Sequence, residues 1–486
     1  MRLLAITFSI SLSLFQSAIL HAAESYGAPW RDFKQTTKDR TVYLSCDGDD
    51  LNSGLSPSSP KKTFNSAWSL IRSGFGDHLR FHRVNKAGSR CTYGNETFGG
   101  GSSGIYLNKS GASSARRLLI GSYPQASKTL PRPIIRKDTG ISAPGNKEDT
   151  KYVKNIVIEG IEFQPSEQHY LVGVTNNAAA FFWGSQQNIW VQDTYSSGFK
   201  HNFAFQGNCD NPIVNVGFVG NISVDSYHKM VRPITNIVRN DASSGLYLSC
   251  VKDSDVRMNL FDRNGIVRGV PVHTYNHQVY IQTGNTGILN FQYNIMSDGD
   301  GIQARSPMTF ANNLGLRLAQ NIFRAEGSDS KIYGNVIMYG RDLDVHTDGN
   351  VTRAWGIRLG GANSKTKIER NYFLDDQSAD AAPPIWINIS GFFNEKSLAS
   401  NPVRGWGPNR HRVDRYDSSG KMTSSAMITP ARQTCSLTQD MAMSKYMGVT
   451  KRGFETFIAR ARTLQRGRWI PTYTAGPVLD FVKGCF

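Results

Sequence analysis

The sequence has little charge for its length, and several common functional motifs are missing from it. Only 19% of its 486 residues are charged, whereas 39% are hydrophobic. This composition is too apolar for a chain that is mainly disordered, so we expect a folded protein. The sequence contains no CxxC pair, no GxxxxGK[ST] and no HExxH. The usual signals of a structural zinc site, a nucleotide-binding loop and a zinc protease are therefore absent.

Long hydrophobic runs are confined to the start of the chain. Residues 1–23 combine a basic Arg2, an apolar stretch and small residues at the end. This layout is typical of a secretory signal peptide, and a retained membrane anchor is the alternative. No later stretch approaches 18 apolar residues. We therefore expect a mature chain without a transmembrane span, located in the periplasm or secreted.

Cysteine is scarce, but its number is even. Six cysteines allow 15 complete pairings, and an exported chain favours disulfides over free thiols. Their clustering in the sequence favours three local pairs, which are Cys46 with Cys91, Cys209 with Cys250, and Cys435 with Cys485.

Positive charge exceeds negative charge, giving a formal net charge of +17. An exported protein this basic is suited to an anionic partner, and we expect an acidic polysaccharide rather than nucleic acid. Residues 391–486 hold 15 Lys and Arg against 6 Asp and Glu, although solvated surface charge explains that part equally well. Nothing in the pattern requires an oligomer, and we expect a monomer.

A short sequence motif recurs along the middle of the chain, and it consists of an apolar residue, two variable residues and then Asn. Strand-forming runs flank its copies, and helical periodicity is missing there. Such coils bury their apolar side only by stacking into a solenoid. We expect the Asn to adopt a left-handed backbone conformation and to form hydrogen bonds with the Asn residues of the neighbouring coils. The copies are Phe218–Asn221, Val256–Asn259, Phe291–Asn294, Phe310–Asn313, Ile332–Asn335 and Ile368–Asn371, with Ile158–Ile161 and Trp190–Asp193 as earlier copies that lack the Asn.

This pattern resembles the exported right-handed parallel β-helix proteins, which include many polysaccharide lyases and several glycoside hydrolases. The entry segment Val42–Thr63 is similar to the opening strand and turn of such proteins, and Phe64–Ile71 is expected to be a capping helix. A helical stretch at Phe454–Arg468 looks like a tail that covers the last coil. The resemblance implies an all-β solenoid with an N-terminal cap and a small helical C-terminal cap. We divide the chain into a signal peptide (1–23), a cap with the first coils (24–150), a β-helix core (151–390) and a basic C-terminal region (391–486).

Alternation along the predicted strands indicates which side chains point outward, where a polymer would bind. The richest segment, 271–282, gathers two histidines and two tyrosines, and the following coil adds acidic and basic groups. A histidine near an acid and a tyrosine is suited to proton transfer, although such ladders also arise on any solvated sheet. The outward candidates are Tyr247, Ser249, Tyr280, Gln282, Gln303, Arg305 and Arg358.

For β-elimination on a uronic acid, three roles must be filled. Arg305 or Arg358 would neutralise the carboxylate, His277 would be the base and Tyr280 the acid. The candidates for binding substrate are Tyr247, Gln282, Asp300, Gln303, Arg358, His273 and His228. Lyases with this fold often use calcium or an Arg or Lys base, and neither pattern is clear here.

Calcium is a possible cofactor, but no ligand set stands out. The segment Asp47–Asn52 has closely spaced oxygen ligands without a terminal bidentate Glu, which is more typical of a polar turn. The segment Asp342–Asp348 is consistent with a metal site, a carboxylate pair or an inserted loop.

The sequence therefore predicts an exported polysaccharide-cleaving enzyme, and more specifically a lyase acting on an acidic polymer. One alternative is an inverting glycoside hydrolase, which needs two carboxylates about 6.5 to 9.5 Å apart. Asp298 and Asp300 are its nearest candidates, and Asp253 or Asp348 are substitutes for one of them. The other alternative is a carbohydrate-binding or matrix protein that has the same surface and no activity.

Overall fold

The structure is a computed structural model, and it describes most of the chain after the expected signal peptide. The predicted site residues His228 and His273, the signal peptide and the segment 342–348 lie outside the described residues. The described ranges are 26–94, 104–143, 152–166, 178–227, 243–266, 276–318, 321–326, 329–340, 355–375, 383–389, 391–406, 410–430 and 435–486.

The described strands form three long sheets, and each coil contributes one strand to each sheet in turn. Sheet 1 contains β1 (Thr41–Leu44), β2 (His78–His82), β5 (Leu118–Tyr123), β8 (Lys154–Glu159), β11 (Gln187–Gln192), β14 (Ile213–Val219), β17 (Val251–Arg257), β20 (Thr286–Gln292), β23 (Thr309–Ala311), β26 (Lys331–Tyr333) and β29 (Lys367–Glu369). Sheet 2 contains β3 (Thr92–Tyr93), β6 (Ile134–Arg136), β9 (Glu162–Gln164), β12 (Tyr195–Ser197), β15 (Ile222–Val224), β18 (Leu260–Asp262), β21 (Ile295–Gly299), β24 (Leu314–Leu318), β27 (Val336–Gly340), β30 (Tyr372–Leu374) and β32 (Val403–Arg404).

Sheet 3 carries the surface on which the site candidates lie. It contains β4 (Ile105–Tyr106), β7 (Ile141–Ala143), β10 (Ala178–Trp183), β13 (His201–Gln206), β16 (Ser244–Ser249), β19 (His277–Ile281), β22 (Ile302–Ala304), β25 (Asn321–Glu326), β28 (Trp355–Ala362), β31 (Ile385–Ile389), β33 (His411–Tyr416) and β34 (Met422–Ile428). Neighbouring strands pair in parallel from coil to coil, and β34 alone among these described strands runs antiparallel to its neighbour. The chain is thus a parallel β-helix, as predicted.

Aromatic stacking fills part of the interior of the helix. Phe218, Phe261, Phe291 and Phe310 come from successive coils and are fully buried. Their ring centroids are separated by 6.1, 6.0 and 5.5 Å along this series. Buried rings from successive coils therefore build a continuous core, which no single coil is able to bury alone.

The predicted asparagine ladder is present, with two corrections. Each ladder Asn accepts a backbone N–H bond from the coil before it, as where Asn259 N donates to Asn294 Oδ1 at 3.0 Å. Thr194, not Asp193, occupies the earlier position, because its N–H and hydroxyl both donate to Asn221. The left-handed residue is the one before the Asn, at Met258 for example, so the amide serves hydrogen bonding alone. The ladder comprises Asn221, Asn259, Asn294, Asn313, Asn335, Asn371 and Asn401.

Helices cover one end and one side of the solenoid. Helix α1 (Phe64–Leu70) begins at a Thr63 cap and stacks Phe64 against Phe81 in the first coils, which confirms the predicted capping helix. The C-terminal helices are α2 (Gln439–Met447), α3 (Gly453–Ala461) and α4 (Ala475–Lys483). They bury apolar side chains against the outer face of sheet 2, from Ile222 to Leu374. The helical tail therefore lies along the side of several coils, whereas the sequence predicts that it covers the last coil.

The three predicted disulfides are all present, joining Cys46 to Cys91, Cys209 to Cys250, and Cys435 to Cys485. The last of these ties the segment before α2 to the end of the chain after α4. Among the described residues, no helix has the length and hydropathy of a membrane span.

Candidate functional site

The outer face of sheet 3 carries a column of side chains at one register position. Tyr247 pairs with Tyr280 in the next coil, and Tyr280 pairs with Gln303. Two coils further on, Arg358 pairs with Trp386, which pairs with Arg412. This column, which we call the sheet 3 column, places Tyr247, Tyr280, Gln303 and Arg358 at one register position of sheet 3.

Four of these candidates form a connected cluster. The Tyr247 and Tyr280 ring centroids are 5.7 Å apart, and the Tyr280 ring stacks on His277 at 5.3 Å. The guanidinium carbon of Arg305 lies 5.7 Å from the centroid of the Tyr280 ring. Tyr247, Tyr280 and Arg305 are half-buried, so each has a part that faces solvent. The structure thus brings the predicted trio of His277, Tyr280 and Arg305 to one place.

His277 differs from its predicted exposed position. It is only 4% exposed, and its Nδ1 lies 2.6 Å from Oδ2 of Asp300, which is itself buried. The Nε2 atom is buried and has no hydrogen-bond partner among the described residues. The physical reason is that His277 begins β19 beneath the Tyr280 ring, so the tyrosine covers it. The sequence pattern identified the residues of the cluster, but it did not show that His277 lies buried under the Tyr280 ring.

The remaining predicted binding residues lie at different distances from Tyr280. Gln303 is next to Tyr280 in the column and is buried, whereas Gln282 is half-buried at the end of β19. Arg358 lies three coils along the sheet 3 column, about 14 Å at ~4.8 Å per coil. Arg305 follows β22, so Arg358 lies two coils from it, about 10 Å at ~4.8 Å per coil. Ser249, predicted to point outward, is buried.

The described carboxylates among those considered for a hydrolase lie in different environments. Asp253 lies in β17 of sheet 1, where its Oδ1 accepts the backbone N–H of Ile288. Asp298 has a left-handed φ of 43°, so the segment to Asp300 is not a regular strand. Asp300 is committed to His277. Asp348 is outside the described residues.

The polar segment near the N-terminus behaves as a turn. Asp50 accepts backbone N–H groups of Lys62 and Thr63, and Asp49 accepts that of Leu51. Asp47 accepts the backbone N–H of Lys86 at 2.7 Å. These carboxylates are occupied by local bonds. In the described part of the chain, no group of three or more His, Cys, Asp or Glu side chains is placed to hold a metal.

The structure adds residues that the sequence interpretation missed. His201 is half-buried on the same face, with its ring 5.5 Å from Tyr247 and its Nδ1 2.8 Å from the Ser244 hydroxyl. A second aromatic group, Trp355 and Trp386, lies further along the column with Arg412. The alternation Ile385-Trp386-Ile387 was a usable signal for Trp386, because its neighbours are buried and it is not.

Comparisons with known proteins give structural neighbours only. No protein-family model and no curated protein matches the chain. A rhamnogalacturonan lyase matches with a TM-score of 0.36 and 13% identity, covering 75% of this chain and 87% of that one. An alginate lyase of family PL6, solved with a trisaccharide, has a TM-score of 0.39 and 11% identity over 84% and 91%. A pectate lyase has a TM-score of 0.35 and 12% identity over 77% and 81%. This chain is thus similar in structure to several polysaccharide lyases at low sequence identity.

Proposed function

We propose that the protein is an exported lyase that cleaves an acidic polysaccharide by β-elimination. The observation that carries the proposal is the cluster on sheet 3, in which a cation, Arg305, lies against a partly exposed Tyr280 above a buried His277–Asp300 pair. The long open face around this cluster suits a polymer. Three disulfides are consistent with an oxidising compartment.

Each side chain then has a defined role. Arg305 binds the uronate carboxylate and stabilises the negative charge that develops beside it when the neighbouring carbon loses its proton. Tyr280, which reaches solvent, takes that proton as the phenolate. The phenol so formed returns the proton to the leaving glycosidic oxygen, so that the glycosidic bond breaks, a double bond forms and the phenolate is regenerated. Tyr247, its half-buried neighbour in the column, contacts an adjoining sugar, whereas the other neighbour, Gln303, is buried.

This proposal gives His277 a different role from the one that the sequence suggested. Because His277 is beneath the tyrosine and bonded to Asp300, it positions the Tyr280 ring rather than touching the substrate. Hydrolysis has less support, because Asp300 is held in this buried pair and Asp253 lies in another sheet. A binding protein without activity remains the alternative that experiment must separate.

The test is an assay of the purified protein on pectate, alginate and other uronate polymers, following the ultraviolet absorbance of the conjugated double bond. We expect Tyr280→Phe to lower kcat by about 10²- to 10⁴-fold, the range for loss of general acid–base catalysis. Tyr106→Phe is a matched control, because Tyr106 is exposed and lies in β4 at one end of the same sheet 3, five strands from β19. New reducing ends without absorbance would indicate hydrolysis, and binding without turnover on any polymer would indicate a binding protein.

The role of His277 requires a separate measurement. We expect His277→Gln to lower kcat while leaving KM within about twofold, because the substrate does not contact this side chain in the proposal. The pH dependence of kcat should keep its shape in this variant if His277 only positions Tyr280. A limb of the pH profile that disappears in His277→Gln would make the histidine the base instead.

A further inference from the structure

A second group of side chains on sheet 3 is built around an indole and two guanidinium groups. Trp386 lies between Arg358 of β28 and Arg412 of β33, which come from the strands on its two sides. The guanidinium carbons lie 4.3 and 4.6 Å from the centroid of the Trp386 ring. Arg358 also lies 4.6 Å from the Trp355 ring, which packs edge-on against Trp386 at 5.2 Å.

A buried carboxylate holds this group in place. Asp414 is 1% exposed, accepts the indole N–H of Trp386 at 2.8 Å, and accepts Nε of Arg412 at 3.0 and 3.1 Å. Burial acts to raise the pKa of Asp414, but hydrogen bonds from Ser425, Arg412 and Trp386 keep it below its usual value. The carboxylate is thus ionised at neutral pH, and it fixes both the indole and one guanidinium.

The arrangement favours a negatively charged sugar over a neutral one. Neutral sugars bind tryptophan by lying on the face of the indole, but here a cation from each neighbouring strand lies against that ring. Arg412 uses only its Nε for Asp414, its side chain is 36% exposed, and its Nη groups have no bond to the described residues. A guanidinium group that is held in a fixed plane binds a carboxylate through two parallel N–H···O hydrogen bonds.

We propose that Trp386, Arg358 and Arg412 form a distal subsite that binds the carboxylates of an acidic polysaccharide. It lies three to five coils from Tyr280 along the sheet 3 column, about 14 to 24 Å at ~4.8 Å per coil. This inference deepens the proposed function, because the same polymer would pass over both groups. Only an oligomer long enough to span the gap gains from both, so the subsite makes the protein prefer long chains.

The experiment measures binding without turnover. In a Tyr280→Phe background, isothermal titration calorimetry compares a uronate hexamer with its carboxyl-reduced neutral counterpart. We expect Arg358→Gln and Arg412→Gln each to weaken hexamer binding about tenfold, and we expect the neutral hexamer to bind at least tenfold more weakly than the acidic one. Arg404→Gln is the matched control, because Arg404 is exposed on sheet 2 and the substitution removes the same charge elsewhere.

Two outcomes overturn the subsite. One is hexamer affinity that is unchanged in both arginine variants, with circular dichroism showing that they are folded. The other is equal affinity for the acidic and neutral hexamers. In protein with Tyr280 intact, the arginine variants should raise KM for the hexamer about tenfold and leave kcat within about twofold. Loss of binding in these variants without any elimination activity in the parent would retain the subsite and reject the lyase, so the two proposals fail separately.

Discussion

His411 shows how a single residue near the end of the β-helix ties stability to pH. It is completely buried in β33, and its Nε2 lies 3.0 Å from the carbonyl oxygen of Asn401, the last residue of the asparagine ladder. Because a carbonyl only accepts, Nε2 carries the proton and donates it. Burial lowers the pKa of His411 to about 4, so the folded protein keeps this ring neutral at pH values where the unfolded chain protonates it.

The sign of the effect follows from that difference. The unfolded chain binds a proton below about pH 6.5 and the folded protein does so only near pH 4, so stability from this group is complete above pH 6.5 and decreases as the pH falls. We expect the free energy of unfolding to lose up to about 3 kcal/mol between these pH values through His411. In His411→Gln, the free energy of unfolding, measured with urea over the same pH series, should depend less steeply on pH. The same pH dependence in the variant and the parent would contradict the prediction.

At the scale of elements, the C-terminal helices act as a cover for sheet 2. Helix α3 buries Phe454, Phe457 and Ile458 against apolar side chains that face outward from the sheet. Arg462, just after α3, forms an ion pair with the buried Asp262 of β18. Without the helices, an apolar face of several strands would meet water, so the tail is part of the folded core.

Phe457→Ala should therefore destabilise the protein more than its place near the terminus suggests. We expect a loss of about 3 to 5 kcal/mol in the free energy of unfolding, the usual cost of truncating a fully buried phenylalanine. The variant should also bind a hydrophobic dye more strongly, since sheet 2 becomes accessible. Arg460→Ala in the same helix is exposed and should change the free energy by less than about 0.5 kcal/mol. Equal losses in both variants would refute the covering role.

At the scale of the whole molecule, one disulfide closes the C-terminal segment, which also packs and forms an ion pair on sheet 2. Cys435–Cys485 closes a segment of 50 residues that contains all three C-terminal helices. Replacing both cysteines by serine should lower the free energy of unfolding by about 4 kcal/mol, from the loop entropy of the unfolded chain. Limited proteolysis should then release the tail before the solenoid is cut. A tail that is cut no faster than in the parent would show that packing on sheet 2 suffices.

The solenoid, the capping helix and the disulfide pairs were predictable from the amino-acid sequence. The solenoid follows from a local rule, because one apolar residue and one Asn per coil must stack to bury the first and satisfy the second. The disulfide pairs follow from the clustering of the cysteines in the sequence. The outward column also followed, since strand alternation assigns residues such as Tyr280 and Arg358 to one face. The ladder register was misplaced only at Thr194, where the Asn that marks the position is missing.

The contacts between residues of that face became clear only from their three-dimensional arrangement. Alternation cannot show that His277 lies under Tyr280, because that depends on how the start of β19 meets Asp300 in the next coil. It also cannot show that Trp386 lies between two guanidiniums from strands 28 and 26 residues away in sequence, at Arg358 and Arg412. The stacking of the coils decides which side chains come into contact. Because the loops between the strands vary in length, these contacts cannot be inferred from separation in the sequence. The helical tail lies along sheet 2 rather than over the last coil, because the outer face of this sheet carries apolar side chains over several coils and the helices bury them.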